Sequence, residues 1–200
     1  MTSEPSPAPG PLNAVFDALD PRLAPECRRS FETLRTAQVP STRPWRGSLV
    51  LAGHRASGKS RLLPFISALV GVQGVDLDAE LERKYGRPLR SWVTEDLASF
   101  RAAERALFEE LPPGGLLAVG GGFLALHADL LKAHTPVLIP ISLETYRERL
   151  LADATRPRLR PDLSPEEEIS TVFHERERAH AATGAMPLIN FLAGLPGAGR

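Results

Sequence analysis

Residues 53–60 read GHRASGKS: a glycine, four residues, then Gly-Lys-Ser. Successive backbone N–H groups in such a loop can turn toward phosphate oxygens, with the positive end of a following helix behind them. Lys59 would bridge the terminal phosphates, and Ser60 would offer its hydroxyl to Mg²⁺ on those phosphates. The chain has three lysines and 16 glycines in 200 residues. Glycine at both required positions before a lysine, with Ser or Thr after it, arises by chance in roughly 0.2 % of such chains. The flanks agree, because the apolar run SLVLAG ends at Gly53 and KSRLLPFISALV can open a helix at Lys59. A glycine-rich turn without a ligand is the plainer alternative, and the strand-to-helix context weighs against it. Ala56 stands where many such loops carry another glycine, and it is strained if its φ must be positive. Pro64 interrupts the first turns of the expected helix. His54 and Arg55 read as solvated residues at the loop tip.

Four further stretches carry chemistry. GVDLD puts Asp76 and Asp78 at the end of a second apolar run, two apart and therefore on one face of the strand end. One carboxylate can hold Mg²⁺ through water while the other accepts a hydrogen bond from an acceptor hydroxyl. The plainer reading makes Asp76 a strand-end polar residue and Asp78 a helix cap. GLLAVGGGF leaves bare backbone at Gly120, Gly121 and Gly122, against which a flat substrate can lie; a flexible turn is the alternative. In SFRAAE, Arg101 and Glu104 are three apart on a helix and, taken alone, read as a surface ion pair. DATRPRLRPDLS packs Arg156, Arg158 and Arg160 into five residues, either a cationic lid or a solvated loop.

These residues need a scaffold, and the alternation of the chain supplies one. SLVLAG, QGVDLD, GLLAVGGG, TPVLIPIS and MPLINF are short apolar runs bounded by Gly, Pro or Asp. Between them lie helical stretches after Gly58, after Asp78, from about residue 94 to 110, after Leu143 and after Ser164. Strands alternating with helices predict an α/β fold, doubly wound around a parallel sheet. In SPEEE, Ser164 is the expected cap, Pro165 the first helical residue, and the acids the first turn. No internal repeat is apparent.

Residues 1–46 form a Pro-rich extension, expected to be partly disordered, with one short helix over about 25–37 and a linker before the domain at 47–200. Formal net charge is zero, with 24 basic and 24 acidic residues, so no global field invites nucleic acid or an anionic membrane surface. The apolar runs are too short to span a membrane. The first residues lack the charged and apolar regions of a signal peptide. With one cysteine, Cys27, no internal disulfide can form, and no Cys/His cluster has zinc-ligand spacing. A cytoplasmic chain acting on a small molecule is expected.

The order GxxxxGKS, DxD, FRxxE, GGG, an Arg-Pro lid and a late ER resembles the shikimate kinase family, over about residues 48–190. The resemblance implies a P-loop kinase fold: a five-stranded parallel sheet flanked by helices, with a mobile lid. It also implies that ATP, with Mg²⁺, phosphorylates the 3-hydroxyl of shikimate, a step of aromatic amino acid biosynthesis, in a monomer. By that resemblance Gly53, Ala56, Ser57, Gly58, Lys59 and Ser60 cradle the ATP phosphates, and Ser60 and Asp76 serve the metal. Asp78 binds the ring hydroxyls and orients or deprotonates the attacking one. Arg101 binds the substrate carboxylate, and Gly121 and Gly122 line the ring. Arg149 lies near the adenine, and Arg156 enters the phosphate site when the lid closes. Within HERERAH the second carboxylate-binding arginine is Arg176, preferred on its distance from the lid, or Arg178 if the register shifts by two.

The chain departs from that pattern in several places. Asp96 and Leu97 replace a turn glycine and an acid before FRAAE. The aromatic after the late arginine is His180, with Arg178 near the usual proline. An adenine-side loop and a C-terminal helix after MPLINF are expected to be missing. Two other readings therefore stand beside the first: a ligand-sensing domain without turnover, and a kinase for another hydroxy-acid such as gluconate. Retention of Lys59, Ser60, Asp76, Asp78 and Arg101 weighs against the sensor. FRxxE together with GGG favours shikimate over gluconate.

Overall fold

In the computed structural model the described residues are 14, 15, 18, 47–112, 114–153 and 157–194. The expected helix at 25–37 and the lid residue Arg156 lie outside them. Five parallel strands form one sheet: β1 (Ser48–Ala52), β2 (Gly74–Asp76), β3 (Leu116–Ala118), β4 (His134–Leu138) and β5 (Met186–Pro187). Their order across the sheet is β2-β3-β1-β4-β5. Helices follow the strands: α1 (Lys59–Val70), α2 (Leu77–Tyr85), α3 (Leu89–Glu95), α4 (Leu97–Glu110), α5 (Phe123–Leu126), α6 (Leu143–Leu151), α7 (Pro165–Ala182) and α8 (Leu188–Gly194).

The sequence SLVLA becomes the central strand because every one of its residues can be buried, as covering on both faces requires. Alternation then splits it. Leu49 and Leu51 join one core with Leu62 and Ile66 of α1, Tyr146, Phe173 and Leu188. Val50 and Ala52 join the opposite core with Leu81, Trp92, Phe100, Leu107 and Phe123. Each large side chain so buried stabilises the fold by about 1.5–3 kcal/mol. Val15 and Ala18 also belong to the first core, at 0 % and 6 % exposure, so the N-terminal segment packs on the domain at these two positions.

Strand order creates the cleft. After β1 the chain leaves toward β2, and after β3 it leaves toward β4, on the other side of β1. The loops after β1 and β3 therefore part at a topological switch point, where open α/β sheets leave a crevice.

Four expectations are corrected. The strand expected through Asp78 ends at Asp76, whose side chain accepts from the backbone N–H of Asp78 and Ala79 and caps α2. Asp78 sits in the first turn of that helix, so the two aspartates do not share a strand face and Asp76, not Asp78, is the cap. The single helix expected over about 94–110 is two, because Asp96 leaves helical geometry (φ −152°, ψ 79°) and its side chain accepts from Ser99 N–H to start α4. MPLINF supplies only two strand residues before turning helical, and α8 buries Leu188, Ile189, Phe191 and Leu192. The C-terminal helix expected to be absent is thus present, directly after β5. Ser164 caps α7 in a capping box with Glu167, as its sequence indicates.

Candidate active site

The loop between β1 and α1 is built on unusual backbone. Gly53 has φ 146°, and a Cβ there would sit 2.9 Å from the Ile139 carbonyl oxygen. Gly58 caps α1 with φ 90°. Between them Ala56 adopts φ 59°, the left-handed conformation that costs a non-glycine residue about 1–2 kcal/mol. Pro64 does not break α1, which continues to Val70.

The side chains of the loop close on its own backbone. Lys59 Nζ donates to the carbonyls of His54 (2.7 Å) and Gly53 (3.1 Å). Arg149, from α6, donates to the Ala56 carbonyl at 2.7 Å. Ser60 Oγ donates to Asp76 Oδ2 at 2.5 Å, which places a hydroxyl and a carboxylate side by side at the exposed start of α1. That hard-oxygen pair beside a lysine fits Mg²⁺ on a polyphosphate. Ser57 is fully buried, and its hydroxyl has no hydrogen-bond partner among the described residues.

The loop forms one wall of a cleft of about 780 Å³. Its other wall is ionic. A Cβ on Gly120 would meet Glu104 Oε1 at 2.9 Å and Asp78 Oδ1 at 3.2 Å. A Cβ on Gly122 would meet Arg101 at 3.1 Å and Arg176 at 3.4 Å, and one on Gly121 would meet Arg176 at 3.1 Å. The three glycines are therefore the floor on which two carboxylates and two guanidiniums converge. Side chains would fill that space. Arg101 donates to Glu104 at 2.7 Å, and Glu104 also approaches His127 Nε2 at 3.3 Å. Far from being a surface pair, this couple includes a glutamate with 0 % exposure.

Burial sets the electrostatics. Asp78 is pushed up to about 6 by burial first, then by Glu104 and Asp76, against the pull of Lys59 and Arg101. Arg176 is pushed down to about 10, again by burial first, with Arg55 and Arg101 adding repulsion. Among the described residues, one Arg176 guanidinium nitrogen and Glu104 Oε1 are buried without hydrogen-bond partners. An acid group near the arginine and a hydroxyl near the glutamate would satisfy both.

Of the residues singled out from the sequence, the cleft gathers Ala56, Gly58, Lys59, Ser60, Asp78, Arg101, Gly121, Gly122, Arg149 and Arg176. Gly53 and Asp76 support it from behind, through the Lys59 and Ser60 contacts described above, and buried Ser57 lies beside them, its Oγ 3.0 Å from where a Gly53 Cβ would sit. Arg178 is exposed on α7, whereas Arg176 is buried against the glycines. In the segment expected to form the lid, Arg158 pairs with Glu168, and Arg160 with Glu175 at 2.8 Å, so both are tied to α7. Arg55 donates to the Pro157 carbonyl at 3.2 Å, joining the phosphate loop to the same segment.

His54 is corrected outright. It is 2 % exposed, stacks on Phe173 at 4.2 Å and meets Glu177 at 2.7 Å. Burial, then Arg176 and Lys59, pushes it down to about 3, so it is neutral at physiological pH. Sequence reasoning named Glu104 only as half of a surface ion pair and passed over His127. Glu104 was visible as the final letter of FRAAE; nothing near His127 marked it.

A model of the family described as "Shikimate kinase" matches residues 55–187. The chain belongs to the shikimate kinase family. The shikimate kinase of Halorhodospira halophila is 33 % identical over 144 residues, covering 66 % of this chain and 79 % of that one. That of Salinispora arenicola is 31 % identical over 147 residues, covering 70 % and 86 %. The fold is likewise that of shikimate kinases. The Acinetobacter baumannii enzyme, solved in complex with shikimate, superposes with a TM-score of 0.63 at 23 % identity, over 72 % of this chain and 83 % of that one. The Aquifex aeolicus enzyme gives 0.57 at 25 % identity, over 70 % and 85 %. Among the described residues no helix is long and apolar enough to cross a membrane.

Proposed function

We propose that this chain transfers the terminal phosphoryl group of ATP to the 3-hydroxyl of shikimate, in the cytoplasm and as a monomer. The observation that carries the reading is the convergence of Arg101 and Arg176 on Gly122 beside the Asp78 and Glu104 carboxylates on Gly120. Two guanidinium forks suit one carboxylate, and a neighbouring acid suits ring hydroxyls, which together describe a small carboxylated polyol. A flat ring suits the bare glycine floor better than an open-chain hydroxy-acid does.

In this reading the acceptor carboxylate is held by Arg101 and Arg176, and its ring lies on Gly121 and Gly122. Asp78 orients the attacking hydroxyl and takes its proton, while a bond forms from that oxygen to the terminal phosphorus and the bond to the ADP oxygen breaks. Gly53, Ala56, Ser57, Gly58 and Lys59 cradle the phosphates, with Lys59 exchanging its loop carbonyls for phosphate oxygens. Ser60 and Asp76 hold Mg²⁺, which when bound neutralises phosphate charge. Arg149 flanks the nucleotide, and Arg156 belongs to a lid that closes to exclude water. Phosphoryl transfer asks mainly for such alignment and neutralisation.

The test is a coupled ADP-release assay with ATP, Mg²⁺ and a panel of hydroxy-acids. ADP with shikimate and not with gluconate is expected. Release with gluconate reassigns the acceptor. Thermal stabilisation by shikimate without ADP makes the chain a sensor and overturns the reading.

A further inference from the structure

We propose that His54, Glu177 and His180 form a binding site for one transition-metal dication of the zinc class, joining the phosphate loop to α7. His54 Nε2 lies 2.7 Å from Glu177 Oε1, and His180 Nδ1 lies 3.6 Å from the same oxygen. One ligand atom from each residue lies within 4.8 Å of the others, and among the described residues this is the one such group of three. Ligands held at 2.0–2.2 Å from a tetrahedral ion stand about 3.4 Å apart, a value these spacings bracket. Glu177, with a side chain 54 % exposed, is the ligand able to adjust.

The two imidazoles are already set in place. His54 and His180 are 2 % and 3 % exposed. The His54 ring stacks on Phe173 at 4.2 Å and meets the His180 ring edge-on at 4.9 Å. Glu177 and His180 are three apart and share a face of α7. A histidine–glutamate hydrogen bond accounts for the 2.7 Å contact. Helical spacing brings the second buried imidazole to 3.6 Å from the same oxygen, so two nitrogens and a carboxylate converge there.

Donor chemistry selects the ion. Two imidazole nitrogens and a carboxylate suit Zn²⁺, Co²⁺ or Ni²⁺, whereas Mg²⁺ prefers oxygen alone. The exposed side of Glu177 leaves an entry path. Because the His54 carbonyl accepts from Lys59, an ion here would also fix the backbone on which Lys59 rests. None of this depends on the kinase reading, and either can fail alone.

The untagged full chain, stripped with a chelator, is titrated with Co²⁺ and followed by visible absorption, then with Zn²⁺ in competition. Expected are one ion per chain, the intense bands of low-coordinate Co²⁺, a Tm raised by Zn²⁺, and no displacement by excess Mg²⁺. Glu177→Gln, at an exposed position, should weaken Co²⁺ about tenfold or more, since even outer-shell losses cost that much. His180→Phe should abolish the bands, and Arg178→Ala should change nothing. Absence of stoichiometric binding by the wild-type chain overturns the proposal, as does unchanged affinity in both ligand variants. Should His180→Phe fail to fold by circular dichroism, Glu177→Gln decides alone.

Discussion

The two halves of the cleft solve opposite problems. On the nucleotide side the charged groups and the helix-start hydroxyl are satisfied locally, with the buried Ser57 hydroxyl the exception: Lys59 rests on two loop carbonyls, Ser60 on Asp76, and Arg149 on the Ala56 carbonyl. On the acceptor side they are not. Among the described residues an Arg176 nitrogen and a Glu104 oxygen are buried without partners, and Asp78 is crowded by two other carboxylates. A phosphate is recognised by backbone amides that any sequence possesses, once glycine allows the path. A small carboxylated polyol demands side-chain charges held out of water, and that costs stability until the ligand arrives. Function on the acceptor side should therefore oppose stability, and on the nucleotide side it should not.

Asp78→Asn gives the largest effect and the sharpest form of the comparison. Loss of a positioned base should lower kcat by about 10²- to 10⁴-fold, with ATP affinity little changed. The same change should raise Tm near neutral pH. In the folded chain Asp78 sits at about 6, above its ordinary value of 3.8, so the native state holds the proton more tightly than the unfolded state does. Stability contributed by this group consequently falls as pH rises from about 4 to about 6, and the full penalty persists above that window. Asp78→Asn removes the slope. Thermal melts of both proteins between pH 4 and pH 8 check this; parallel curves would break the contrast between the halves.

Arg176→Met comes next. Removing one guanidinium fork from the acceptor carboxylate should raise the acceptor KM roughly 10- to 100-fold, on the usual strength of charge-assisted bonds. Because Arg176 is buried among Arg55 and Arg101, its loss should leave Tm unchanged or higher. A large fall in Tm would mean that Arg176 braces α7 rather than waiting for a ligand.

Gly122→Ala is milder. Its φ of −105° suits alanine, so the only effect is the new methyl, 3.1 Å from Arg101 and 3.4 Å from Arg176. The two side chains would have to part, and about a tenfold rise in acceptor KM is expected from that displacement, with unchanged ATP KM. Equal changes in both KM values would show that the glycine floor serves the whole cleft.

The same contrast governs how much could be read in advance. GxxxxGKS is contiguous, and its strand-to-helix context is local, so the turn from β1 into α1 was legible in advance. So were the central strands, because SLVLA and LLA are apolar enough to be buried throughout. The acceptor half is assembled from α2, α4, the glycine run and α7, far apart in sequence. Arg101–Glu104 at helical spacing looks the same whether it faces water or a cleft, and burial alone tells them apart. His54 misled for a related reason: a histidine beside glycines in a loop reads as solvated, but Phe173 and His180 reach it across more than a hundred residues. The break at Asp96 needed its cap geometry, which a helical pattern does not reveal. In MPLINF, length misled, since two strand residues were enough to finish the sheet before α8 began.

The smallest effect tests whether the nucleotide side carries any strain at all. Ala56 holds φ 59° in the middle of the loop, and Arg149 donates to its carbonyl. Ala56→Gly relieves a left-handed alanine, worth about 1–2 kcal/mol, but adds unfolded-state freedom worth about 0.5–1 kcal/mol. A net gain of about 0.5–1 kcal/mol is expected, read as a rise of a few degrees in Tm, with kcat and both KM values within about twofold of wild type. Here stability and function should move independently, unlike at Asp78. If Ala56→Gly instead raises the ATP KM severalfold, the alanine is holding the loop amides in their phosphate-ready arrangement. Strain would then be part of the nucleotide side too, and the two halves would differ in where they store it, backbone in one and buried charge in the other.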